Sequence, residues 1–179
     1  MTVALCYGLP AVWQADAQIL ILGSLPGVAS LQAAQYYAHP RNQFWPLLQQ
    51  LFGIDASLPY DERLTVLKQQ RLALWDLIGA AERRGSLDSA ITPASIQLND
   101  FSALLQQLPA LRAVWLNGGT AAKSWQKLIK TGLTLPATVQ VFALPSTSPA
   151  HAALRFADKL QHWQQAYQQT LATNTGEFR

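Results

Sequence analysis

Four short apolar runs punctuate the chain: Gln18–Leu22 (QILIL), Leu72–Trp75 (LALW), Ala113–Leu116 (AVWL) and Thr138–Leu144 (TVQVFAL). None alternates cleanly between apolar and polar residues, which is the pattern of parallel strands buried on both faces. Helical spacing fills the intervals. Phe44, Leu47, Leu48 and Leu51 recur at i, i+3, i+4 and i+7, Leu64 and Leu67 follow Asp61, and Phe101, Leu104, Leu105 and Leu108 follow Asp100, an N-cap residue type. Ala121, Trp125, Leu128 and Ile129 share a face after the third run, and Leu154, Ala157, Leu160 and Tyr167 share one after the fourth. Strands alternating with helices require crossover connections, so the predicted fold is α/β, a three-layer α/β/α sandwich around a central four-stranded parallel sheet. With half of 179 residues hydrophobic, the chain can bury one full core, over residues 1–170, leaving 171–179 as a disordered tail.

Ligands of such sheets gather beyond the carboxyl ends of the strands. The segments there are GSLPG (23–27), DLIGAAERRG (76–85), NGGTAAK (117–123) and PSTSPAH (145–151). In GSLPG, two glycines let the backbone turn sharply and present N–H groups to a phosphate or a base carbonyl. The turn lacks the lysine of a P-loop and the third glycine of a dinucleotide fingerprint. Ser148 followed by Pro149 predicts a helix start, and Lys123, Lys127 and Lys130 fall on one helical face. Thirteen Lys and Arg against ten Asp and Glu give a net charge of +3, and the isoelectric point near 9.2 favours a polyanionic partner. The single cysteine, Cys6, excludes an internal disulfide and a four-cysteine cluster, so no metal or other cofactor is expected. The N-terminal residues lack the basic region of a signal peptide, and no apolar run nears the roughly 18 residues of a membrane span. A cytoplasmic monomer is expected.

One block has too many aromatic and hydrogen-bonding groups for burial alone: YAHPRNQFW, residues 37–45. Read in order, GSLPG, then YAHPRNQFW, then LPSTSPAH resembles the uracil-DNA glycosylase superfamily over about Leu20 to Tyr167. The similarity is greatest to its hypoxanthine-DNA glycosylase branch and next to its mismatch-specific uracil/thymine branch. The resemblance implies a monofunctional DNA glycosylase of base excision repair acting on DNA that contains a deaminated base, with hypoxanthine favoured over uracil. It implies Asn42 and Asn117 as catalytic amides, Gly23, Ser24, Leu25 and Tyr37 as base-binding, and Ser146, Thr147, Ser148 and His151 as DNA-binding. One departure stands out: the mismatch-specific branch has an asparagine where this chain has Leu25, and leucine cannot orient water. On this reading carboxamides, rather than an ionised acid, steer the attacking water. The glycosidic bond breaks through an oxocarbenium-like state, in which orientation matters more than basicity. Asn42 also sits where it can cap the Phe44–Leu51 helix, and His39, before Pro40, suits a loop-fixing role. Two readings of other classes fit parts of the sequence: a serine esterase using Ser24 and His151, and a catalytically silent DNA- or nucleotide-binding module.

Overall fold

The structure, a computed structural model, describes residues 5–172. The strands are β1 (Leu5–Tyr7), β2 (Ile19–Gly23), β3 (Leu72–Asp76), β4 (Ile78–Glu82), β5 (Gln97–Leu98), β6 (Ala113–Asn117) and β7 (Gln140–Leu144). The helices are α1 (Val28–Ala33), α2 (Phe44–Phe52), α3 (Tyr60–Gln69), α4 (Phe101–Gln106), α5 (Gly119–Lys130) and α6 (Phe156–Ala172). The four predicted strands form one parallel sheet in the order β3-β2-β6-β7.

Strand β2 shows why the apolar runs lacked alternation. Ile19 and Ile21 point into a core shared with Phe44, Leu47, Leu48 and Trp163 from α2 and α6. Leu20 and Leu22 point the other way, among Phe101, Leu104, Ala121 and Trp125 from α4 and α5. Both faces are therefore dry, and both residue parities must be apolar. Edge strand β7 differs, since its first four residues alternate between half-buried and exposed. Asp100 caps α4 as its position predicts, its Oδ1 accepting from the Ala103 N–H at 3.3 Å.

Three features depart from the sequence expectation. Part of the segment after β3 is not a loop: β4 pairs with β1 and β5 in a small antiparallel sheet. Its sequence, Ile-Gly-Ala-Ala-Glu, carries small residues where strands usually show bulky ones. Ser148 and Pro149 do not begin a helix. They open a turn closed by the His151 N–H donating to the Ser148 carbonyl at 3.0 Å, and α6 starts only at Phe156. Helix α6 also continues through Leu171 and Ala172, past the expected end of the domain, while the remainder of the expected tail, 173–179, lies outside the described residues. No helix among the described residues is long and apolar enough to cross a membrane.

The sheet positions the site by register. Gly23 pairs with Asp76, and Asn117 with Leu144, so the carboxyl ends of all four strands open on one edge. There GSLPG, the aromatic block, and the segments after β6 and β7 meet.

Candidate active site

A cavity of about 440 Å³ lies at that edge, within the range of small-molecule sites. Gly23, Ser24, Leu25, Tyr37, His39, Asn42, Asn117, Ser146, Thr147, Ser148 and His151 all contribute to its lining. Residues drawn from four separate stretches of sequence are thus brought together.

The GSLPG turn is held through its carbonyls. The Leu77 N–H donates to Gly23 O and the Ile78 N–H to Ser24 O, both at 2.9 Å, and the Leu31 N–H donates to Gly27 O at 3.0 Å. Arg83, only 4% exposed, donates to the carbonyls of Leu25 and Pro26, and its Nε donates to Gly85 O at 2.9 Å. With every carbonyl of the turn engaged, the N–H groups of Ser24, Leu25 and Gly27 find no acceptor among the described residues. That leaves a set of main-chain donors at the cavity wall, suited to negative charge. The Leu25 side chain turns into a separate apolar cluster with Ile78, Ala81 and Ile91, so it contributes backbone rather than side chain.

The amide of Asn117 is a bracket. Its Nδ2 donates to Thr147 Oγ1 at 3.0 Å and to Tyr37 Oη at 3.2 Å, while its Oδ1 accepts from the Thr147 N–H at 3.0 Å. Thr147, fully buried, also accepts from the Gln43 N–H through its carbonyl, so its polar atoms are committed inward rather than to DNA. Gly118 makes the sharp exit from β6, with φ +100, a conformation that favours glycine; a Cβ there would also meet Ser146 at 3.0 Å. Helix α5 then begins at the cavity, where its N-terminal end favours negative charge.

Tyr37 has φ +56, uncommon for a bulky residue and worth roughly 1–2 kcal/mol of strain. It is fixed there by Asn117 and by stacking on Phe44, with ring centroids 3.9 Å apart at 21°. One ring face is thus taken. Phe44, Trp45 and Tyr36 are buried core residues. Asn42 Oδ1 accepts from the Phe44 N–H at 3.0 Å, so from the position before the N-cap residue, Gln43, this side chain caps the first N–H of α2 while lining the cavity. His39 Nδ1 accepts from the Arg41 N–H at 3.1 Å, which fixes the loop. Ser146 and Ser148 Oγ accept from the N–H groups of Ser148 and Ala150.

Two aspartates that the sequence reading did not place line the same cavity. Asp88, from the 3-10 turn after β4, accepts from Ser24 Oγ at 2.7 Å and lies 4.0 Å from Arg83. The Ser24 hydroxyl is therefore turned to an acid and not to His151, contrary to the esterase arrangement. Asp76, the last residue of β3, is 3% exposed, and its Oδ2 has no partner among the described residues. Burial, with a smaller contribution from Asp88 and opposed by Arg83, pushes its carboxyl up to about 7. Its Oδ1 is so near Gly23 that a Cβ on residue 23 would lie 2.3 Å from it, which requires glycine there. Position alone carried a signal for Asp76, since it stands at the carboxyl end of a parallel strand.

The family model of the uracil DNA glycosylase superfamily matches residues 10–171. A protein named hypoxanthine DNA glycosylase from Methanosarcina acetivorans is 39% identical over 145 residues, 80% of this chain and 87% of its own. One of the same name from Methanosarcina barkeri is 44% identical over 112 residues, 62% of this chain and 70% of its own. A solution NMR structure from Methanosarcina acetivorans, described as a candidate uracil DNA glycosylase, superposes with a TM-score of 0.77 at 33% identity, over 93% of this chain and 99% of that one. With a family match across nearly its whole length and a cavity at the carboxyl edge of its sheet, the chain belongs to the uracil DNA glycosylase superfamily.

Proposed function

We propose that this chain is a monofunctional DNA glycosylase that hydrolyses the N-glycosidic bond of hypoxanthine extruded from DNA. The observation that carries the reading is the convergence of the GSLPG amides, Tyr37 and Asn42 on one cavity, in a chain 39% and 44% identical to two hypoxanthine DNA glycosylases. Flipping a nucleotide out of a duplex costs a few kcal/mol, and stacking on an aromatic ring returns about 1–3 kcal/mol. The Tyr37 face not covered by Phe44 is the surface for that stacking.

As the bond breaks, negative charge grows on the base, and the free N–H groups of the turn and the start of α5 are its counterweights. Positive charge grows on the sugar, and water adds to it. Asn42 orients that water: the cap uses one lone pair of its Oδ1, leaving the other and the Nδ2 donors. Asn117 acts through Tyr37 and Thr147, which it holds in place. Ser146, Ser148 and His151 meet the DNA backbone at the rim. The protein works as a monomer on DNA in the cytoplasm and needs no metal.

The test is incubation with oligonucleotides bearing hypoxanthine, xanthine or uracil, followed by alkaline cleavage of abasic sites. Wild-type protein is expected to release hypoxanthine, and Asn42→Ala and Asn117→Ala each to slow release at least about tenfold. Asn42→Ala should also lose about 1 kcal/mol of stability with its cap. If it melts lower yet cleaves at the wild-type rate, Asn42 is a cap alone.

A further inference from the structure

The fold grips Asp76 by its main chain. Asn99 Nδ2 donates to the Asp76 carbonyl at 2.8 Å, and the next residue, Leu77, donates its N–H to Gly23. Its carboxyl braces nothing comparable: Oδ2 is buried without a partner at the wall of the cavity. An unpartnered buried carboxyl is costly, and sites where such a group persists are where a ligand or a reaction uses it.

The groups facing it leave it as an acid. Tyr36 and Tyr37 face it from the connection between α1 and α2 and Tyr60 from α3, and burial pushes all three phenols up, so they stay neutral. Asp88 and Arg83 face it from the segment after β4. Asp88 is occupied by Ser24 and lies beside Arg83, so Asp76 is the carboxyl left free to act.

We propose that Asp76 is a catalytic acid whose carboxyl O–H donates its proton to the departing base, at the O6/N7 edge of hypoxanthine. This rests on the glycosylase reading above. The bond from C1′ to N9 breaks with its electron pair going to the base; the Asp76 proton neutralises the charge so created, and neutral hypoxanthine leaves. Water adds to C1′ and gives up one proton, which returns to the Asp76 carboxylate. Protons and electrons balance, and no further reactant is needed.

Single-turnover release from a duplex carrying one deoxyinosine, followed from pH 5.5 to 9, tests this. The wild-type rate should fall about tenfold per pH unit above about 7, as the acid form is lost. Asp76→Asn should be on the order of a hundredfold slower at pH 6 and independent of pH through that range, with DNA affinity little changed. Asp76→Ser serves as a second variant, and melting curves show that each is folded. A flat wild-type profile, or a variant that keeps both rate and descending limb, overturns the proposal while leaving the glycosylase reading intact. A wild-type protein that releases no hypoxanthine at any pH removes both.

Discussion

Asp76→Asn is expected to make the protein more stable at pH 8, by about 2–4 kcal/mol, and to flatten its stability between pH 4 and 7. In the folded chain the buried carboxyl stays protonated up to about 7, whereas the same group has an ordinary value of 3.8 when exposed. Between those limits the folded state holds a proton that the unfolded state has released. Stability therefore falls as pH rises through that window, and the full penalty, on the order of 4 kcal/mol, applies above about 7. Asparagine has no charge to bury, so only the smaller cost of an unpaired amide remains. Denaturant titrations of both proteins at pH 5 and pH 8 check this. Equal stability at pH 8 would mean that Asp76 is ionised without penalty. A variant that is more stable but slower is the trade expected where a residue is kept for chemistry.

Arg83→Met is expected to act in the opposite direction, costing about 3–5 kcal/mol and slowing base release at least about tenfold. The Arg83 side chain is 0% exposed, and its guanidinium serves the carbonyls of Leu25, Pro26 and Gly85 beside the Asp88 carboxyl. Methionine fills the space but leaves those acceptors unpaired, and the turn loses the contact that fixes which way its peptides point. Arg83→Lys should not restore function, because an ammonium cannot serve the same three carbonyls in the geometry of a planar fork. Chemical denaturation together with single-turnover release is the check. A loss under about 1 kcal/mol would mean that the turn holds itself.

Much of this was legible in the sequence. Burial on both faces of β2, β3 and β6 left short unbroken apolar runs, and the helices packed on them kept their i, i+3, i+4 spacing. Tyr37 and Asn42, from one block, and Asn117, 80 positions beyond Tyr37, line one cavity. The second sheet was not legible: β1 is three residues long, β5 two, and β4 is built on small residues. Missing it meant missing what it carries. Arg83 and Asp88 follow β4 and bind the GSLPG turn side chain to main chain and side chain to side chain, and Ser86 accepts from the Val28 N–H just past it, relations that no spacing along the chain reveals. Asp76 opened one of the segments expected at the ligand edge, but its side chain's burial against Gly23 at the cavity wall is visible only in the fold. Thr147 looked like a surface hydroxyl because its partner, Asn117, is thirty positions away.

The most direct measurement is the appearance of an alkali-labile site in a duplex oligonucleotide containing a single deoxyinosine. Wild-type protein should cut the strand at that position alone, and Asn42→Ala should do so at least about tenfold more slowly. DNA that is bound by the wild-type protein yet stays intact after alkali would contradict the account and leave a binding module in its place.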